Sequence, residues 1–418
     1  MAGGNAGTLR QWCSRTAGGS DTRDGGNRLR TVGSRPRGIG APGGGSGRRC
    51  LPASPTGPAG GIVTSVVIMV NSITELGGAA RVAHVLAQGL TGRGHSVHLV
   101  GLEMAAEPHA FATDQSYRST TLLPSPVPSA SDEEARSDAE AGILQGIHDV
   151  LAEGEPGVVI TTQVWCKEML DRVPHDQWRV IGQYHSSAEA AEMGGDAERL
   201  LAAYSDLDVV TLLTQADADR FVSWGMHGAI ALPNPLAFWP DQPSPLTDRV
   251  VTYLGRLSVE KAPGILADAW ARVAADRHEW RLRFVGSGPL VDEIRDRNLP
   301  RVQFVEPTSH PQGYLMASSI LALPSLVEGF PLSLMEAMAC GLPAVAADAS
   351  SGVRQLVTHG RTGLLAVRGD VDDFAVHLGR LMDDEELRRS MSAEARTAAE
   401  AYRLETVLDL WEPLLRAD

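Results

Sequence analysis

The stretch SVVIMVNSITELGGAARVAHVLAQGLTGRGHSVHLVGL, residues 65–102, decides how the chain folds. Its opening run is β-branched and continuously apolar, as in a strand covered on both faces. Val82, Val85, Leu86 and Leu90 then recur at helical spacing, and a second apolar run follows Arg93-Gly94-His95. Strand, helix and strand in that order predict a parallel βαβ unit. Gly77-Gly78 lies between the first strand and the helix, where missing side chains let a ligand reach backbone amides at a positive helix end. A tight turn alone would read the same way. The pair is not GxGxxG, and no acid follows at the spacing a dinucleotide ribose needs, which counts against an NAD-dependent oxidoreductase.

The alternation continues. GVVITT (157–162), WRVIGQYHSS (178–187) and LDVVTLLTQADADRFVSWG (207–225) supply more strands and helices, and Thr214 suits a helix cap. A polar segment at about 122–140 reads as a surface loop. LPNPLAFWPDQPSPLTD (232–248) carries five prolines and reads as an interdomain linker. A second alternating set follows, so the expected class is α/β, with two Rossmann-like, doubly wound parallel sheets. The expected domains span 62–240 and 241–402, with a last helix over 403–418 packing back on the first domain.

Residues 1–61 differ in kind: Gly, Ser, Pro and Arg dominate and no period appears. Nine arginines face two aspartates there, a balance of about +7, which leaves about −21 on the remainder of a chain whose net charge is −14. The expectation is a disordered tail or a start codon set too far upstream; a basic arm for an anionic partner is the alternative. The acidic remainder argues against bulk binding to nucleic acid. Cys13, Cys50, Cys166 and Cys340 are scattered without a CxxC pair, which fits a reduced, cytoplasmic protein. No apolar run approaches the roughly 18 residues of a membrane span. Peripheral contact with the inner face of a membrane and the oligomeric state stay open.

Several residues carry chemistry. His185 stands just past an apolar strand, where ligand crevices of open α/β sheets lie; a satisfied structural histidine is the plain alternative. Arg256 ends the strand of GRLSVEK and Lys261 follows at a helix start, a pair suited to a diphosphate or to an ordinary solvated surface. In SLVEGFPLSLMEAMACGLP (325–343), Glu328 lies on a loop and Glu336 inside an apolar helix, with Pro331 at the first helical position. A carboxylate there is costly to bury unless it accepts hydrogen bonds, and ribose hydroxyls are suitable donors. SDLD (205–208) and DAD (217–219) read as structural acids, and no essential metal is expected.

EGFPLSLME resembles the E-x7-E signature of family-4 retaining glycosyltransferases of the GT-B fold (glycosyltransferase group 1). LGGAARV, QYHSS, LPNPL, GRLSVEK, FVGSGP, EAMACGLPAVA and HGRTGLL are similar in the same order, over roughly residues 62–415. The resemblance implies two domains facing a cleft that holds a nucleotide-sugar donor, UDP- or GDP-linked, with no cofactor. Arg256, Lys261, Gly77 and Gly78 would meet the diphosphate. Glu328, Gly329, Phe330, Pro331 and Leu332 would hold the sugar, Glu336 the ribose, and His185 would orient the reacting sugar with Glu328 as the other catalytic contact. The family often has a glutamate at Gln355 and a glycine where Val305, Glu306 and Pro307 stand, which leaves donor preference open. A sugar-nucleotide-binding protein without turnover and a natural-product glycosyltransferase are the alternatives; a cell-envelope glycan or polymer is the expected acceptor class.

Overall fold

The computed structural model describes residues 63–109 and 115–416. The expectations about residues 1–61, including Cys13 and Cys50, therefore lie outside the described residues. The first half contains β1 (Ser65–Val70), α1 (Gly78–Gly92), β2 (Ser96–Glu103), β3 (Arg118–Leu123), α2 (Glu133–Glu153), β4 (Val158–Thr161), α3 (Val164–Leu170) and β5 (Arg179–Gln183). It continues with α4 (Ala188–Gly194), α5 (Ala197–Ala203), β6 (Val210–Leu212), α6 (Gln215–Ser223) and β7 (Ala229–Ala231). These strands form a seven-stranded parallel sheet in the order β3-β2-β1-β4-β5-β6-β7.

The second half contains β8 (Val250–Leu254), α7 (Pro263–Val273), β9 (Arg281–Val285), α8 (Val291–Asp296), β10 (Val302–Val305), α9 (Gln312–Met316) and β11 (Ile320–Leu323). Then follow α10 (Leu332–Ala339), β12 (Ala344–Ala347), α11 (Ser351–Leu356), β13 (Gly363–Ala366), α12 (Val371–Asp383), α13 (Glu385–Ala399) and α14 (Leu404–Leu415). Its sheet has six parallel strands in the order β10-β9-β8-β11-β12-β13. In both sheets the order reverses beside the first strand, the switch point at which open α/β sheets form a crevice.

Each sheet is covered on two faces, which is why its central strands are apolar without alternation. In the second half, Trp270, Trp280, Phe284 and Phe374 fill one side and Leu323, Met335, Met338 and Val353 the other. The first half's core is completed by the last helix. Val407, Leu408, Trp411 and Leu415 of α14 pack with Val66, Leu86 and Leu90. Gly89 makes the approach possible, because a Cβ there would stand 2.8 Å from a Leu408 methyl. Arg93, the C-cap of α1, reaches Asp409 at 2.7 Å, and Arg179 donates to the Leu414 carbonyl at 2.8 Å. No strand lies between Ala231 and Val250, the proline-rich connection.

Two local readings change. The polar segment at 122–140 is only partly loop: β3 runs to Leu123 and α2 begins at Glu133. Asp132 accepts from the Ala135 amide and Glu133 and Glu134 occupy the first turn, so the acids that suggested a loop form a helix start. Pro331 is the N-cap of α10 and Leu332 its first helical residue, one place later than the sequence suggests. Among the described residues no helix is long and apolar enough to cross a membrane.

Candidate active site

The site begins where β8 ends. Gly255 has φ +155°, and Arg256 beyond it is exposed and makes no ion pair with any described residue. FVGSGP explains itself by contact with this turn. A Cβ on Gly286 would stand 2.1 Å from the Gly255 carbonyl oxygen, and one on Gly288 2.5 Å from that of Leu257. Their φ values, +137° and +152°, also suit only glycine. The Leu257 amide then donates to the Ser287 carbonyl at 2.8 Å, fixing the loop that carries Lys261.

Lys261 precedes α7 and points at the loop after β11. Its Nζ lies 2.8 Å from Glu328 Oε2, while Ser325 Oγ donates to Glu328 Oε1 at 2.7 Å. The Glu260 carbonyl accepts from the Leu326 and Val327 amides, tying the two loops together. Glu328 is thus a buried carboxylate with a cation and a hydroxyl donor, the arrangement under which burial is tolerable. Gly329, Phe330, Pro331 and Leu332 lead directly from it into α10.

Glu336 lies one turn into α10 and is buried. Its partner comes from the other half: Arg81 Nη1 of α1 stands 2.9 Å from Glu336 Oε1. Burial raises the Glu336 carboxyl to about 7, and the Arg81 guanidinium holds it from rising further. Gly78, the first residue of α1, faces Leu332, with 3.6 Å from its Cβ direction to a leucine methyl. Gly77 caps the helix in extended conformation, and its amide donates to Glu75 O at 2.8 Å, so that N–H is engaged within its own turn.

His185 follows β5. Its two ring nitrogens are shielded from water without a hydrogen-bond partner. Burial pushes the imidazole down to about 4; the Asn234 amide beside it opposes that shift without reaching hydrogen-bond geometry. The ring is neutral at pH 7. Its backbone touches the Glu328 loop: a Cβ on Gly329 would stand 2.7 Å from His185 O, and Ser187 Oγ donates to Glu328 O at 2.8 Å. The fold therefore joins His185, Glu328, Gly329 and Lys261 in one cluster and Gly78, Arg81, Leu332 and Glu336 in a second. Arg256 stands apart, exposed.

The DAD and SDLD acids have structural partners. Asp217 is buried and accepts from Thr214 Oγ1, the Ala188 amide and Ser351 Oγ, the last across the cleft at 2.9 Å. Asp206 pairs with the buried Lys167 at 3.1 Å. Among the described residues no group of three or more potential metal ligands occurs. Beside Asp217 a cavity of about 450 Å³ is lined by Glu189, Glu192, Arg220, Ser351, Arg354 and Gln355. Arg81, Ser187 and Asn234 sit in stretches the sequence marks, two or three residues from a candidate or within LPNPL, whereas Ser351 does not. Their pairing across the cleft depends on how two halves meet, which no local spacing encodes.

Residues 238–398 match the family model described as glycosyl transferases group 1. An uncharacterized glycosyltransferase of Haemophilus influenzae is 31% identical over 222 residues, 51% of this chain and 62% of the relative. The chain thus spans less than two thirds of that relative's length. A D-inositol 3-phosphate glycosyltransferase of a Nocardioides species is 26% identical over 381 residues, 75% of this chain and 82% of the relative. Among solved structures, S. aureus TarM in complex with fondaparinux, alpha-GlcNAc-glycerol and UDP has a TM-score of 0.72, covering 85% of this chain and 100% of that one. At 13% identity that likeness speaks for the fold alone. Residues 238–398 thus resemble the glycosyl transferases of group 1, and the two parallel-sheet halves have the GT-B fold.

Proposed function

We propose that this glycosyltransferase takes a sugar from a nucleoside diphosphate donor, UDP- or GDP-linked, and transfers it with retention to an acceptor hydroxyl without a metal ion. The observation that carries the reading is the Lys261–Glu328 pair, from the loops that follow adjacent strands and held against the His185 backbone, with Arg256 exposed earlier in the same loop after β8. A cation pair at the carboxyl end of a sheet suits a diphosphate, and a carboxylate beside it suits sugar hydroxyls.

In the proposed step the bond between the anomeric carbon and the diphosphate oxygen breaks. The acceptor oxygen bonds to the same face of that carbon, and its proton passes to the departing phosphate oxygen. Arg256 and Lys261 stabilise the charge that develops there, and this electrostatic term stands in for a metal. Neutral His185 cannot accept that charge; it orients the sugar. Glu328 accepts sugar hydroxyls and Glu336 the ribose diol. Because Gly329 and His185 touch, no ligand fits between those backbone segments until the halves part. UDP in the TarM complex and the sugar-transferring names of the relatives support this class. A cell-envelope glycan or polymer is the proposed acceptor.

A thermal-shift and hydrolysis screen against UDP-, GDP-, ADP- and CDP-sugars tests it. One nucleotide class should raise the melting temperature and release free sugar slowly; silence from all four overturns the reading.

A further inference from the structure

The two helices that meet across the cleft do so in step. Gly78 of α1 lies against Leu332 of α10, and one turn further along each helix Arg81 meets Glu336 at 2.9 Å. The carboxylate side chain is 3% exposed and the guanidinium side chain 18%. The other ionisable neighbours offer Glu336 no substitute partner. On its own helix stands Cys340, a thiol that burial and Glu336 push up to about 12. From α13, Arg396 is committed to the carbonyls of Ala339 and Pro240. Tyr314 of α9 lies under the Arg283 guanidinium. Strands β11 and β12 carry only apolar side chains, and the linker segment 235–237 alongside is apolar as well.

An isolated carboxylate in such surroundings neutralises by taking a proton, and a protonated acid loses acceptor capacity toward a diol. An arginine at hydrogen-bond distance opposes this and fixes one oxygen, leaving the other to accept. We propose that Arg81 is a positioning residue of the donor site: it keeps the Glu336 carboxylate ionised and aimed, so that the ribose is gripped only when the N-terminal half closes over it. The inference rests on the donor-site reading of Glu336. Its consequence is that nucleotide affinity is coupled to domain closure through one side chain contributed by the half that does not hold the nucleotide.

The sign of the pH effect follows. With Arg81 present the carboxyl titrates about 7, so nucleotide binding weakens below that pH. Without the guanidinium the midpoint moves to higher pH, and about one unit of movement corresponds to roughly tenfold weaker binding on the acid side.

The test is calorimetric titration of the full chain with UDP and with GDP from pH 6 to 9, for wild type, Glu336→Ala, Arg81→Met, Arg81→Gln and Arg81→Lys. Both neutral Arg81 variants should bind roughly fivefold more weakly at pH 7, approach tenfold at pH 6 and recover toward wild type at pH 9; Arg81→Lys should follow the wild-type curve. Two neutral variants guard against one failing to fold. Unchanged affinity in them while Glu336→Ala weakens binding overturns the role of Arg81 and leaves the donor site standing. A loss that is uniform with pH makes Arg81 a packing residue and also overturns it. Wild type binding neither nucleotide, or Glu336→Ala binding as wild type, removes the donor-site reading and the inference together.

Discussion

Lys261 Nζ and Glu328 Oε2 stand 2.8 Å apart at the ends of β8 and β11, which are hydrogen-bonded neighbours in one sheet. The residue expected to meet a diphosphate and the residue expected to meet the sugar thus neutralise each other before any ligand arrives. This gives a buried carboxylate a partner and places a cation and an acceptor at a fixed separation on the cleft wall.

Lys261→Ala should therefore do two things. It strands Glu328, costing about 2–3 kcal/mol of stability, less than a fully buried pair because the lysine side chain is 30% exposed. It should also lower kcat/KM for the donor by at least about tenfold through the lost charge at the leaving phosphate. Glu328→Gln, which keeps the Ser325 contact and removes the charge, should restore the melting temperature in the double variant but not turnover. Denaturant melts and steady-state rates separate the two effects; a double variant with full activity contradicts the assignment.

His185 makes an acid-stability prediction. Its folded value near 4 lies below the ordinary 6.5, so the unfolded chain binds the extra proton first. The stabilisation from keeping it neutral is complete above about 6.5 and is lost as pH falls toward 4, about 3 kcal/mol in all. His98, also lowered to about 4, adds to the same slope. His185→Asn should flatten the melting curve between pH 6.5 and 4 relative to wild type. It should also reduce kcat more than donor affinity, and rates above pH 6 should carry no histidine titration in the wild type. An unchanged acid slope returns His185 to a solvent-accessible state the structure does not have.

These features were unequally legible. The βαβ opening, the proline-rich connection and the eight-residue spacing of Glu328 and Glu336 are local, and local patterning is what periodicity and turn chemistry report. Thr214 as a cap was legible for the same reason, and its Oγ1 accepts from the Asp217 amide. The acids before α2 misled because capping residues and loop residues share a composition. Arg81 with Glu336, Ser187 with the Glu328 carbonyl, and Ser351 with Asp217 were hidden, since each joins residues more than a hundred positions apart across two separately folded sheets. Asp217 was read only as a structural acid, and only the second half supplies the Ser351 hydroxyl from which it also accepts.

That contact yields a stability prediction. Asp217→Ala leaves Thr214 Oγ1, the Ala188 amide and Ser351 Oγ without their acceptor and should cost about 2–3 kcal/mol, read by denaturant unfolding. Ser351→Ala removes one of three donors and should cost about 1 kcal/mol. Equal costs would mean that the cross-cleft bond, rather than the cap, dominates.

Metal dependence gives a sharp test of the charge argument. If Arg256 and Lys261 carry the phosphate charge, turnover persists in excess EDTA with the rate unchanged within about twofold, as expected when fixed cations supply the electrostatic term. Arg256 forms no ion pair with any described residue, so Arg256→Ala strands no buried partner and should leave the unfolding free energy within about 0.5 kcal/mol of wild type while cutting turnover. Abolition of activity by EDTA, restored by a divalent ion, contradicts the proposed mechanism.

Gly329 offers the most direct handle on closure. A Cβ there would lie 2.7 Å from His185 O and 2.8 Å from Ser186 Cα, backbone atoms that no rotamer change can move aside. Neighbouring Gly352 is as constrained, its Cβ position lying 2.0 Å from Gly329 O, so the loop cannot retreat toward α11. Gly329→Ala must therefore push the two halves apart, while Lys261, Glu328 and Glu336 all stay within the C-terminal half. Nucleotide binding should then lose only what Arg81 contributes, roughly fivefold at pH 7. Turnover should fall much further, about a hundredfold, because His185 no longer meets the sugar held beside Glu328. Small-angle scattering should report a larger radius of gyration for the variant without nucleotide. A variant as compact and as active as wild type would mean that the His185–Gly329 contact does not set the catalytic geometry, and that the sugar reacts elsewhere along the cleft.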